Sequence, residues 1–209
     1  MTLIEKSVDP RVKRTRQLLQ KAFFELLTEK DIGTISIQEI TDRATVNRAT
    51  FYAHFPDKYA LLDSIIREMF QQGLAQRLPP APIWNVENLR ALVRATFGFL
   101  EEFHHGCKPS SQAFDPMVER AIQQELASVL LDWLKQARVA GMRSGVRVEF
   151  VASIISWAIF GPAVQWSRQE RTPSADEMTR QTMLVITEGL SHLAPGFLPT
   201  ERNGQSSKP

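Results

Sequence analysis

Cysteine is almost missing from this chain: Cys107 is the only one among 209 residues. That excludes an internal disulfide framework and fits a reducing cytoplasm. Long apolar runs are also scarce. The longest, FVASIISWAIFGPAVQW (150–166), is broken by Ser, Gly-Pro and Gln. It falls short of a comfortable membrane span, so it reads as a buried helix and no membrane partner is expected. The opening MTLIEKSVDP has no apolar run behind its positive charge, which argues against a secretory signal. Neither sign of charge dominates, the net being +2. Alternating strand patterns are nearly absent and there is no internal repeat, which leaves helical periodicity as the organising signal.

The balance is that of a globular protein, 43% apolar and 23% charged, with length for one or two small domains. The basic groups, however, are unevenly placed. RVKRTRQLLQK (11–21) holds five basic residues and no acid, whereas from residue 61 onward basic and acidic residues balance at 15 each. The excess in the first 60 residues favours an anionic partner, nucleic acid ahead of membrane. On charge alone, a solvated helix face would serve as well.

Apolar residues Val12, Leu18, Leu19, Ala22, Phe23, Leu26 and Leu27 recur at helical spacing and predict a helix over 10–29, broken near Gly33. SIQE (36–39) is a capping box that opens a short helix over 37–43, burying Ile37 and Ile40. Asn47 caps a second short helix over 48–53. Pro56 and Asp57 stop that helix and start the next, which ends near Gln76. RLPPAPIW (77–84) reads as a hinge or linker because closely spaced prolines cannot continue a helix. Four further helices follow at about 85–105, 115–140, 146–168 and 174–192, with Asn85, Asp115 and Ser174 as caps. The tail from residue 196 is polar and rich in turn formers, and is expected to be disordered.

Two short capped helices joined by a tight turn have the size of a helix-turn-helix, whose second helix enters the major groove. Its first turn needs small or hydrogen-bonding side chains, and Asn47, Arg48, Ala49 and Thr50 supply them. Arg grips guanine in bidentate fashion, while Ala or the Thr methyl meets a thymine methyl. Tyr52 and His54 lie further along, where hydroxyl and imidazole can hold phosphate oxygens. Lys58 adds a positive side chain at the next helix N-terminus. Phe51 and Phe55 are left to pack inward on Ile37, Ile40 and Val46.

The stretch GTISIQEITDRATVNRATFYAHFPDKYALL, with its TFYAHF core and following PDK in register, resembles the DNA-binding domain of the TetR/AcrR family of bacterial transcriptional regulators. The resemblance covers residues 11–62 and implies an all-α protein. A three-helix DNA-binding domain over 1–57 would precede a helical effector-binding and dimerisation domain over 58–195. It implies phosphate contacts from Ser36, Tyr52, His54 and Lys58, base or groove contacts from Gln38, Arg48, Ala49 and Thr50, and flanking phosphate contacts from Arg14. The family's turn usually holds Gly where this chain has Thr45; a left-handed backbone there would be strained.

Family members are typically homodimers pairing their last two helices, which here would be 146–168 and 174–192. The first of these is apolar almost all round and must be covered on all sides, by its own domain or by a second copy. Pro162 should kink it by removing a hydrogen bond to the Ala158 carbonyl. The resemblance also implies a small-molecule effector. Phe97, Leu100, Phe103, His104, Phe114, Met117, Trp133 and Trp157 are the candidates to line its site, although any one of them taken singly reads as plain core. No cofactor is expected.

EEFHHGC (101–107) contains two Glu-x-x-His pairs, the spacing that ligates metal in di-iron bundles. No second helix carries the motif, so enzyme chemistry of that kind is not expected and the ends of a helix explain the two His residues. The competing reading is a metal-binding helical protein or enzyme using His104, His105 and Cys107; Cys107 as a redox sensor has only Lys108 nearby to activate it. The expectation is a cytoplasmic, dimeric DNA-binding repressor released from a palindromic operator by its effector, with a same-fold activator as the other alternative.

Overall fold

A computed structural model describes residues 9–106, 115–137, 146–168 and 173–193. Asp9 accepts a hydrogen bond from the Arg11 N–H, and Pro10 takes the first helical position, where a missing N–H costs nothing. Helix α1 (Pro10–Glu29) thus starts where the sequence predicts. Leu19, Ala22, Phe23 and Leu26 form its buried stripe at i, i+3, i+4 and i+7. Val12 and Leu18, which share the apolar periodicity, are exposed, as is every residue from 10 to 14.

One 3-10 turn (Ile32–Thr34) leads to α2 (Ile37–Ala44). The capping box is present: Ser36 Oγ accepts from the Glu39 N–H at 3.2 Å, and the Ser36 N–H donates to Glu39 Oε2 at 2.8 Å. Ile40 is buried, but Ile37 is only half-buried because it sits in the first turn. α3 (Arg48–His54) and α4 (Lys58–Ala75) follow. Asn47 Oδ1 accepts from the Ala49 N–H and Asp57 Oδ1 from the Ala60 N–H, so both expected caps are made.

Thr45 ends α2 in the left-handed conformation, with φ 55° and ψ 44°. Its Cβ is crowded by the following carbonyl, which costs about 1 kcal/mol or more in a non-glycine residue. Replacing Thr45 by Gly is therefore expected to stabilise the protein by about 1 kcal/mol, discounted by the greater freedom of an unfolded Gly. A urea midpoint that fails to rise would show that packing of the Thr side chain already offsets the strain.

The chain divides into two compact units, one of residues 1–68 with 109–118 and one of 69–108 with 119–209. In the first, α2 packs on α1 and α3 on α2. Arg43 bonds Glu29, tying the end of α2 to the end of α1.

In the second unit, α5 (Val86–Gly106) packs against both α7 (Val148–Ser167) and α8 (Ala175–Leu193), which also touch each other. Phe97 of α5 meets Trp166 of α7 edge-on at 5.5 Å. α6 (Asp115–Gln136) supplies Ala121, Ile122, Leu126, Leu130, Trp133 and Leu134 to buried positions. Asn85 and Ser174 cap α5 and α8 through the Asn88 and Glu177 N–H groups. The side chain of Asp115 lies outside the described residues, as does the tail from 196.

The Pro-rich 77–84 segment is not a free linker. It buries Trp84, accepts a bond from Asn88 Nδ2 at the Ile83 carbonyl, and turns through a left-handed Ala81. Helix α7 is long and apolar enough to cross a membrane by length and composition. It runs on through Pro162, and its buried face is occupied by Val151, Ile155, Ile159, Ala163 and Trp166. No strand occurs among the described residues.

Candidate nucleic-acid interface

The seven residues of α3 are too few to be helical alone and are held by what they bury. Phe51 is fully buried and Phe55, one turn on, nearly so, their rings 6.0 Å apart. Arg48, Ala49, Tyr52 and Ala53 are exposed, while Thr50 and His54 lie at the half-buried margins. The helix therefore has one core face and one polar, solvent-facing face. Ser36 and Gln38 are exposed at the start of α2, which packs against α3.

The exposed groups are not idle. Arg48 Nη2 donates to the Tyr52 hydroxyl at 3.3 Å, and its guanidinium stands 5.7 Å from the centre of the Tyr52 ring. Gln38 Nε2 donates to Asp42 Oδ1 at 2.7 Å. Such exposed pairs are worth little and open readily to a competing base edge. Ser36 is more firmly engaged: its hydroxyl donates to Glu39 Oε2 at 2.8 Å as well as accepting from the Glu39 N–H. Lys30, then the Ser36 N–H and hydroxyl, hold the Glu39 carboxyl at about 2, well below its ordinary value. A phosphate contact from Ser36 would have to turn its hydroxyl hydrogen away from that carboxylate.

His54 is pushed below its ordinary value, first by burial and then by the positive charge of Arg16. Its uncharged ring can still donate one N–H to a phosphate oxygen. Arg16 is a neighbour of Arg14 on the basic first helix and is not among the contacts expected by name. Its guanidinium lies 4.5 Å from the centre of the Phe55 ring, a contact of about 0.5–1 kcal/mol, so it is the α1 cation shown reaching α3. Arg14 is exposed on α1. The helical spacing of 14 and 16 places them on different sides of α1, and only tertiary packing says which one meets the recognition helix.

Lys58 has partners within its own unit. Its ammonium donates to the carbonyls of Ile32 at 2.7 Å, Gly33 at 3.1 Å and Ile35 at 2.7 Å. In the chain without DNA its donors are thus engaged within the protein.

Among the described residues, those expected to line an effector site stand in different surroundings. Phe97, Leu100 and Trp133 are core, and Phe103 is half-buried. His104 Nδ1 shares a hydrogen bond with Ser167 Oγ at 2.8 Å. Met117 belongs to the other unit, and Phe114 lies outside the described residues. Trp157 is 56% exposed and borders an open groove of about 440 Å³ with Phe160, Gly161, Val164 and the Arg168–Glu119 ion pair. Aromatic residues at helical spacing satisfy their hydrophobicity equally well in a core or against a partner, so spacing could not sort them. No group of three metal-capable side chains occurs among the described residues; the His105 side chain and Cys107 lie outside them.

Residues 19–65 match the model of the bacterial regulatory proteins of the tetR family. Over 64 residues the chain is 48% identical to the HTH-type transcriptional regulator YxbF of Bacillus subtilis (strain 168), a match covering 30% of this chain and 17% of that protein. It is 25% identical over 193 residues to the HTH-type transcriptional activator FasR of Mycolicibacterium smegmatis, covering 88% of this chain and 86% of that one. Among solved structures, a transcriptional regulator from Pseudomonas aeruginosa PAO1 superposes with a TM-score of 0.56 at 17% identity, over 91% of this chain and 95% of that one.

Proposed function

Because this chain is a TetR-family DNA-binding transcriptional regulator, we propose that it acts in the cytoplasm as a homodimeric repressor of a palindromic operator, released by a small-molecule effector. The observation that carries the DNA reading is the division of α3 into a buried Phe51/Phe55 face and an exposed Arg48/Ala49/Tyr52 face. A helix of that kind presents its first turn to base edges. We assign residues 1–57 to DNA binding and 58–195 to effector binding and dimerisation. Arg48, Ala49, Thr50 and Gln38 would read bases, Asn47 would cap the reading helix, and Tyr52, His54, Ser36, Lys58 and Arg14 would meet phosphates.

Pairing through α7 and α8 is supported by their exposed apolar residues. Two-fold symmetry would set two α3 helices about 34 Å apart, one turn of duplex. An effector would act by population shift, binding better to an arrangement in which that spacing no longer fits. A second reading, activation, is favoured by the activator FasR matching along most of the chain. Reporter output with the gene removed separates the two: it rises for a repressor and falls for an activator.

Selecting bound duplexes from a random pool should enrich a palindrome. Against that operator, Arg48→Ala is expected to lose about 1–3 kcal/mol and to relax choice at one base pair per half-site. An equal loss on every sequence would reassign Arg48 to the backbone.

A further inference from the structure

Arg16 is a cation of α1 with a fixed place. Its guanidinium carbon stands 4.5 Å from the centre of the Phe55 ring, and Phe55 is the residue that ends α3. That ring is only 3% exposed, so Arg16 rests on a side chain anchored in the core. Lys21, Lys30 and Arg43 are each paired with a carboxylate. Among the described residues, by contrast, the N–H groups of Arg16 have no hydrogen bond or ion pair.

His54 flanks the same aromatic ring from α3, the two ring centres 6.4 Å apart. After burial, it is the positive charge of Arg16 that holds His54 below its ordinary value, so the two groups stand within electrostatic reach of each other. A guanidinium carries five N–H donors in one plane, and an uncharged imidazole carries one more. Donors from two helices thus meet at Phe55, with a full positive charge beside them.

We propose that Arg16 and His54 together form one phosphate-binding site at the end of α3, which sets the register of the recognition helix in the groove. This rests on the DNA-binding reading of α3. Phosphate contacts position a protein on the duplex, while base contacts read the sequence. Arg16 is braced on Phe55, about two turns along from the base-reading Arg48, so a phosphate held there fixes where Arg48 meets a base. The bracing also restricts a long side chain before DNA arrives, which lowers the ordering cost of binding. Lysine would bring the charge without the planar fork that rests on the ring.

The test scans the selected operator with single methylphosphonate linkages, each of which removes one phosphate charge. Full-length wild type, Arg16→Met, Arg16→Lys and His54→Leu are titrated over a range of salt, with circular dichroism to check the fold. Arg16→Met is expected to bind about 10–100-fold more weakly, with a salt slope shallower by about one. Arg16→Lys should keep the slope and still bind at least about fivefold more weakly. At one linkage per half-site, the loss that methylphosphonate causes in wild type should shrink in both Arg16→Met and His54→Leu. Shrinkage at different linkages, or at none, would overturn the shared site. Arg16→Lys binding as tightly as wild type would overturn the bracing by Phe55. If wild type selects a palindrome and Arg16→Met binds it equally well, this site alone is refuted. A wild type that selects no duplex would refute the operator reading and the site with it.

Discussion

Replacing Trp157 by glutamate is expected to turn a dimer into a monomer and to weaken operator binding by about 10²–10⁴-fold. Phe150, Ile154 and Trp157 recur at i, i+4 and i+7 along α7 and are 63%, 49% and 56% exposed. Leu184 and Val185 on the adjoining α8 are 51% and 71% exposed. Single exposed apolar side chains are ordinary, but a stripe on one helix and a further exposed pair on the helix it packs against leave apolar surface that water solvates poorly. Both α7 and α8 already have their buried faces against α5, so what remains is outward-facing. A second copy placing the same patch against this one would cover it by a two-fold, self-complementary contact.

A carboxylate at Trp157 would enter that contact from both copies, desolvated and without a counter-charge, which is costly twice over. The same change should spare the core of the subunit, because Trp157 is more than half exposed and meets Phe160 edge-on at 5.8 Å between ring centres. Sedimentation velocity and operator titration measure the two effects, and far-ultraviolet circular dichroism checks the fold. A Trp157→Glu protein that remains dimeric at micromolar concentration would place the interface elsewhere. The loss in affinity arises because each half-site contact, once linked, forms at high effective concentration; a monomer forfeits that advantage.

The second large effect is in the DNA-binding unit. Phe51→Ala should cost about 3–5 kcal/mol, the range for removing a buried aromatic ring. That is a large part of the roughly 5–15 kcal/mol that holds a typical domain together. The Phe51 ring is fully buried, meets Tyr52 edge-on at 5.6 Å and lies against Phe55. Since α3 is stable only through such contacts, losing the ring should free the reading face from its support. Tyr52→Ala, one residue on but facing outward, should alter stability within about 0.5 kcal/mol. The two variants compared by urea denaturation thus test the two-faced reading of α3. Similar costs for both would show that the faces are assigned wrongly.

The parts of this protein legible in its sequence share one physical property: they are decided within about four residues. Ser36 and Glu39 close a capping box, Asn47 caps α3, Asp57 caps α4, and each bond joins near neighbours in the chain. The periodicity that separates Phe51 and Phe55 from Arg48 and Tyr52 is equally local. The left-handed Thr45 was signalled only by the family resemblance, whose turn usually holds Gly at that place.

Contacts across the chain were not legible in this way. From sequence, Lys58 is a cation at a helix start, equally suited to a phosphate or to carbonyls two dozen residues away; in the chain without DNA it bonds the carbonyls. Arg16 rather than Arg14 stands over Phe55 because of how α1 lies on its neighbours. Trp133 and Trp157 have the same character in sequence, yet one is core and the other faces outward. The sequence by itself determined the helices, their caps and the two faces of α3, since backbone hydrogen bonding and helical period act at short range. The tertiary structure alone decided which cations find partners within the protein and which aromatics remain exposed, because burial and partner choice depend on residues far apart in the chain.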